Sequence, residues 1–451
     1  MGFGYQGDIR RVRRGERLLD DIVRSGSVVL NRACPDRASE VAAHRFLSSA
    51  EVTPEAILAE SAQRTHAACR GGYIVAAQDT TEINFSGADH CRPGLGRAGD
   101  GKSLGFFMHA LVAIDAACEA VVGLASAQIW TRGLDKVPAR QTRALEDKES
   151  KRWLEGCEMA AQVLEPAAQV VVVGDSESDI YPLFVRKPAE IDLIVRSRGD
   201  RILADGGMLF ARGDQLAPVA EWDVEVAPKK PRLPGNKGRI AHVALSYGAV
   251  KIKRPRTGAV ASDAKQVTLT QVVVREIGDP GSAEPLLWRL LTTLPVETVD
   301  DAMEVVRLYR LRWRIEQVFR ALKRDGLGLE DTQVQERSRL FNLAAMALVA
   351  ATRIVQLTDA RDTSSRPATD IIHPDLIEAA QAIGKTLEGN TERQKNHHPK
   401  GSLTWLAWIV ARLGGWKCYY KPPGPKTMAI GHKRLTDLLI GFQIALDKSN
   451  V

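Results

Sequence analysis

Cysteine is scarce in this chain. Six occur among 451 residues, at positions 34, 69, 91, 118, 157 and 418. None forms a C-x-x-C pair and no histidine stands at ligand spacing from one. That argues against a structural zinc site or a disulfide framework and suits a reducing cytoplasm. No apolar run approaches the ~20 residues that cross a bilayer. The opening stretch, Met1 to Asp8, lacks the apolar segment of a signal peptide. Internal repeats are also missing. These absences predict a soluble protein of a reducing cytoplasm with no membrane partner. Hydrophobic residues at 44% and charged residues at 26% are ordinary, and the length allows two to four domains. The formal charge of +7 is compatible with acidic partners but too small to single them out.

The pattern along the chain divides it. Residues 1 to about 70 read as helical, with Arg10, Arg11, Arg13, Arg14 and Arg17 crowded ahead of apolar Leu18, Leu19, Ile22 and Val23. Thr53-Pro54-Glu55 has the chemistry of a helix start. From Tyr73 the character becomes strand-like and runs into Gln78-Asp79-Thr80-Thr81-Glu82. A Gly-rich loop from Gly94 to Gly105 and strand-like runs at Phe106–Ile114 and Ala120–Ile129 follow, then a charged helical stretch at 138–164. Val170–Val173, closed by Gly174-Asp175, suits a strand covered on both faces. Strands first, then strand–helix alternation, predict an α/β core. Residues of about 190–298 read as mostly β, and Asp300–Arg324 as one strong helix, with helical character continuing to about Leu357. A polar linker, Asp359 to Pro367, precedes a helical piece in which Leu403, Leu406, Val410 and Leu413 form a stripe between Ser402 and Gly414-Gly415.

The segment around Glu316 carries the most chemistry. Tyr309, Arg312, Glu316 and Lys323 stand at offsets 0, 3, 7 and 14. At about 100° per residue they fall within an arc of roughly 60° on one helix face. Leu308, Leu311, Ile315, Val318, Phe319 and Leu322 form an adjoining apolar stripe suited to docking on a sheet. A carboxylate flanked by a phenol and two cations is what a phosphodiester site requires. An unselected charged helix face is more often a solvated surface with i,i+4 pairs, so spacing alone leaves both readings open.

The residue pattern favours the first. Tyr309-Arg-Leu-Arg312-Trp-Arg-Ile-Glu316, followed seven positions on by Lys323, resembles the Y-(2)-R-(3)-E-(6)-K signature of the insertion-sequence-four family of DDE transposases. Gln78-Asp79-Thr80-Thr81 is similar to the family's first-aspartate strand, Val172-Val173-Gly174-Asp175 to its second, and Val195-Arg196-Ser197-Arg198 to the basic strand that follows. Lys148 to Trp153, Trp288 to Thr292 and Gly401 to Gly415 resemble family segments in the matching order.

The resemblance implies a ribonuclease-H-like catalytic core at 71–358 with a β-rich insertion at about 190–298. It also implies an N-terminal helical DNA-binding domain at 1–70 and a C-terminal helical dimerisation domain at 368–451. By the same resemblance Asp79, Asp175 and Glu316 are the catalytic triad and hold two Mg²⁺ ions, for which Mn²⁺ can substitute. Carboxylate oxygens are hard donors that suit these cations. Tyr309, Arg312, Lys323 and Arg196 are implied as DNA contacts, and Trp288 as the platform for a base swung out of the duplex. The implied activity is cut-and-paste transposition through a DNA hairpin, by a homodimer on paired inverted repeats and target DNA. A transposase-derived DNA-binding protein that inhibits transposition is the alternative, though intact carboxylates argue against it. A nuclease that hydrolyses without joining is a third.

Other signals weigh less. Gly96-Arg-Ala-Gly-Asp-Gly101-Lys102-Ser103 fits the P-loop pattern, but no buried strand precedes it and no helix follows. Asp179, four residues beyond Asp175, suits a supporting role, and His109 in an apolar strand suits a satisfied core histidine.

Overall fold

The computed structural model describes residues 8–85, 92–99, 103–133, 149–226, 238–280, 284–323, 326–361, 365–419 and 421–449. The P-loop-like Gly101-Lys102 and the first part of the charged stretch, residues 138–148, lie outside these residues.

Four helices open the chain: α1 (Ile9–Ser25), α2 (Leu30–Ala33), α3 (Arg37–Leu47) and α4 (Pro54–Ala68). The side chain of Asp8 caps α1 and Gly26 ends it at φ 65°, a left-handed conformation that glycine adopts without strain. Leu18, Leu19, Ile22 and Val23 are buried, while Arg10, Arg13, Arg14 and Arg17 remain exposed on the same helix. Thr53 caps α4 by accepting from Ala56 N at 3.2 Å, with Pro54 in the first turn, as expected.

The core sheet contains β1 (Tyr73–Phe85), β2 (Gly96–Arg97), β3 (Leu104–Asp115), β4 (Val121–Trp130), β5 (Gln169–Gly174) and β6 (Ile191–Arg196). Helix α5 (Lys151–Val163) precedes β5, and α6 (Tyr181–Arg186) joins β5 to β6. Strand β3 is antiparallel to both β4 and β1, whereas β5 and β6 run parallel to β1. The spatial order β4-β3-β1-β5-β6 is the ribonuclease-H-like arrangement expected from the sequence.

Side chains alternate between two cores, as the period of two in a strand requires. Val75, Ala77, Val171 and Val173 pack on one face. Ile74, Ala76, Val170 and Val172 pack on the other, with Trp153 and Cys157 of α5. The unbroken valine run of β5 is therefore buried on both sides.

After α7 (Leu209–Asp214) come β7 (Ala220–Val226), β8 (Arg239–Lys253), β9 (Gln266–Glu276) and β10 (Leu287–Thr292). The β-rich region does not form a sheet of its own. Strand β10 pairs antiparallel with β6, and β9, β8 and β7 follow outward, giving one ten-stranded sheet. Pairing with β10 satisfies the backbone groups that the edge of β6 would otherwise leave unmade.

Helices α8 (Val299–Arg310), α9 (Trp313–Leu322) and α10 (Arg337–Asp359) return the chain to the sheet. The single helix expected over Asp300–Arg324 is broken at Leu311 and Arg312, and Lys323 leaves α9 with extended backbone, ψ −165°. Helix α10 corrects another expectation. It is long and apolar enough to cross a membrane, yet 94% of its apolar window is buried inside the fold. Its all-round apolar surface reflects a central position between the sheet and the terminal helices. Asn342 on this helix donates to Leu47 O at 3.0 Å and Val52 O at 2.7 Å, tying the N-terminal helices to it.

The chain ends in α11 (Ile377–Leu387), α12 (Leu403–Leu413) and α13 (Pro425–Ser449). Ser402 caps α12, and Leu403, Leu406 and Val410 bury against Met428, Leu435 and Leu439 of α13.

Candidate active site

Strand pairing sets the first two carboxylates. Ala77 of β1 lies opposite Val173 of β5 in parallel register. Asp79 and Asp175 each stand two residues further on, so they emerge beside one another at the same end of the sheet. Charged groups of an open α/β sheet collect at such strand ends.

Local chemistry fixes how each is presented. Asp175 caps a short turn, accepting from Glu177 N at 2.8 Å, and its carbonyl accepts from Ser178 Oγ at 2.6 Å. Gly174 is needed for this packing, since a Cβ there would stand 2.4 Å from Ser178 Oγ. Below Asp79, Gln78 and Thr80 clasp His109 of the neighbouring strand. Thr80 Oγ1 lies 2.8 Å from its Nδ1 and Gln78 Oε1 lies 3.2 Å from its Nε2. The amide of Gln78 donates to Trp153 O at 3.3 Å, so the chain is continuous into α5. His109 is 3% exposed and fully partnered, a satisfied core histidine.

The break between α8 and α9 does not scatter the remaining groups. Arg312, in the bend, donates from Nη1 to Asp79 Oδ2 at 2.7 Å and from Nη2 to Glu316 Oε1 at 3.5 Å. Burial opposes the charge on its guanidinium, but Asp79, Tyr309, Glu316 and Asp175 together raise its pKa above the ordinary value. Tyr309, 5% exposed, hydrogen-bonds with Arg312, and burial raises the pKa of its phenol. Trp288 meets the Tyr309 ring edge-on with centroids 5.9 Å apart. Arg196 is exposed at the end of β6 and lies within electrostatic reach of Tyr309. Lys323 is the exception. It ends α9, and no ion pair joins it to this group among the described residues.

Burial and the neighbouring Asp175 push the Asp79 carboxyl up to about 7, with Glu316 adding to the rise. Arg312 and the N–H of Thr80, which donates to Asp79 Oδ1 at 2.7 Å, oppose it. Three carboxylates therefore feel one another around a single guanidinium. Their donor set fits a hard divalent cation, which would relieve the repulsion that raises Asp79. In the present conformation, no group of three or more His, Cys, Asp or Glu side chains among the described residues is drawn together closely enough to hold a metal ion.

Asp179, expected in a supporting role, and a cavity that sequence reasoning missed complete the surroundings of the site. Asp179 (side chain 1% exposed) accepts from Arg201 Nη2 at 2.6 Å and from the backbone N–H of Arg198 and Gly199, so it organises the basic loop after β6. Beside Asp79 opens a cavity of about 710 Å³ walled by Phe107, Trp130, Arg132 and Arg152. Phe107 and Trp130 stack with centroids 5.5 Å apart, and the two guanidinium groups cover the outer faces. Only the register of β3 and β4, which pairs Phe107 with Trp130, could have revealed it.

Residues 174–353 match the model of the family described as Transposase DDE domain. The span includes Asp175, Trp288, Tyr309, Arg312, Glu316 and Lys323, whereas Asp79 precedes it. A divalent-metal-dependent mechanism and a DNA substrate are implied by that match. The chain carries a DDE-transposase domain at residues 174–353, and this match supports its classification as a DDE-type transposase or endonuclease.

Proposed function

We propose that Asp79, Asp175 and Glu316 form the catalytic triad of a cut-and-paste transposase of the insertion-sequence-four type. One observation carries the reading. Asp79 and Asp175 emerge side by side from parallel strands, and Arg312 binds Asp79 and Glu316 together. Mg²⁺, or Mn²⁺ in its place, would be held by the three carboxylates, two ions activating the attacking oxygen and stabilising the leaving one.

The protein's own groups orient the DNA. Arg312, with its planar fork of donors, and exposed Arg196 would grip phosphates beside the cut, with Tyr309 donating from its hydroxyl. Lys323 would reach the same backbone from the end of α9. Trp288, half-buried and braced by Tyr309, would receive a base swung out of the stack as the strand bends into a hairpin. Water attacks one strand at the element's end, and the freed 3′-OH attacks the opposite strand. A second water opens the hairpin, and the 3′-OH then joins target DNA. No side chain serves as a nucleophile in this sequence.

Residues 1–70 form the end-binding domain in this reading, with the exposed arginines of α1 on the backbone. Residues 71–358 form the catalytic domain and 368–451 the dimerisation domain. Apolar Ile430, Leu438, Ile440 and Phe442 on α13 are exposed, which supports a homodimer on paired ends in the bacterial nucleoid.

The test incubates the purified protein with Mg²⁺, duplex DNA of the flanking inverted repeats and a target plasmid. Cleaved ends, hairpins and joined products are expected. Binding without cleavage would indicate a non-catalytic inhibitor, and cleavage without joining a simple nuclease.

A further inference from the structure

We infer that Arg312 couples DNA binding to divalent-cation binding, its guanidinium bridging Asp79 and Glu316 until a DNA phosphate draws it away. The inference rests on the reading of the three carboxylates as the metal ligands.

Both oxygens of Asp79 are engaged, Oδ1 by Thr80 N–H and Oδ2 by Arg312 Nη1. The Arg312 side chain is 11% exposed, so its charge sits within the carboxylate cluster rather than in solvent. A divalent ion on the same Asp79 oxygen would lie close to that guanidinium, and screening by water is weak there. The two cations therefore compete.

The guanidinium is also incompletely satisfied where it stands. Its Nε is buried without a hydrogen-bond partner, and a buried donor left unpaired is unfavourable. A phosphate offers what the cluster does not, a multidentate anion matched to the guanidinium fork. Tyr309, Trp288 and exposed Arg196 mark the side from which a DNA strand would arrive. Transfer of Arg312 from carboxylate to phosphate frees Asp79 for a cation at the moment DNA is in place. By reciprocity of linked binding, the cation then tightens DNA binding by the same factor. Such a device would restrain the site from assembling without DNA.

The experiment measures Mn²⁺ binding by electron paramagnetic resonance on the full chain at about pH 8, where Asp79 is largely ionised. It is run with and without a duplex of the flanking inverted repeat, and the duplex without protein gives the Mn²⁺ held by DNA alone. Wild-type protein should bind Mn²⁺ about tenfold more tightly, or better, when DNA is present. R312Q should bind it tightly without DNA and gain little from adding it. Equal wild-type affinity with and without DNA would overturn the inference, as would an R312Q protein no tighter than wild type. The wild-type comparison decides the matter even if R312Q does not fold. If D79N and E316Q leave Mn²⁺ affinity unchanged in every state, the carboxylate reading itself fails, and the coupling with it.

Discussion

Thr80 and His109 face each other across β1 and β3, with Thr80 Oγ1 2.8 Å from Nδ1 of the ring. Burial pushes the pKa of this imidazole down to about 3, and that of His432 down to about 4. Both remain neutral in the folded protein at pH values where an unfolded chain, with a histidine pKa near 6.5, takes up protons. Their contribution to stability is present above about pH 6.5 and is lost as the pH falls toward 4. Each histidine removes about 1.4 kcal/mol per pH unit within that window. Thermal melts between pH 7 and pH 4 check the sign. Thr80→Val, which leaves Nδ1 unpartnered, is expected to cost about 1–3 kcal/mol at neutral pH.

Asp79 has the opposite dependence. A folded-state pKa raised to about 7 means that the protonated carboxyl is favoured by the fold. That contribution is fully present below the unfolded value near 3.9 and is lost as the pH rises through about 7. Asp79→Asn imitates the protonated form. The variant should therefore melt higher than wild type at pH 8 in chelator, with the difference shrinking toward pH 5. A D79N protein less stable at pH 8 would contradict the charge crowding described above.

The backbone glycine before Asp175 is equally testable. A methyl at position 174 would lie 2.4 Å from Ser178 Oγ and 2.8 Å from its Cβ. Gly174→Ala should cost about 1–3 kcal/mol and displace the turn that presents Asp175. Adding Ser178→Ala should recover part of the stability, because only the more distant clash remains. Denaturant unfolding of the two proteins measures the coupling.

Asn342 joins two parts of the molecule through buried hydrogen bonds to Leu47 and Val52 carbonyls. Asn342→Ala leaves both oxygens unpaired and should destabilise the protein by roughly 2–4 kcal/mol. Protease cleavage in the first 70 residues should become faster than in the sheet, a difference read directly by limited proteolysis.

The sheet and the groups near its end were legible in the sequence to an uneven degree. Val170–Val173 announced a strand buried on both faces, and Ser402 and Thr53 announced helix starts, because each depends on local composition. The ribonuclease-H-like order came from a resemblance and could not come from periodicity, since strand order is set by contacts far apart in the chain. The break at Leu311–Arg312 was hidden because the apolar stripe continues through it, Leu308 and Leu311 leading to Ile315 and Val318 with helical spacing. Helical character to about Leu357 was legible, but Arg353, whose charge lies near Asp20 and Glu60, interrupts the apolar run and hid how fully α10 is buried. The contact of Arg312 with Asp79 spans 233 positions. No spacing rule reaches that far, so the guanidinium appeared only as a DNA contact.

Replacement of Asp79, Asp175 and Glu316, one at a time, by Asn, Asn and Gln, with cleavage of inverted-repeat DNA measured in Mg²⁺, tests the central claim most directly. Each substitution is expected to lower cleavage by about a thousandfold or more while DNA binding persists. Cleavage at the wild-type rate by any of the three would contradict the placement of that residue among the reacting groups.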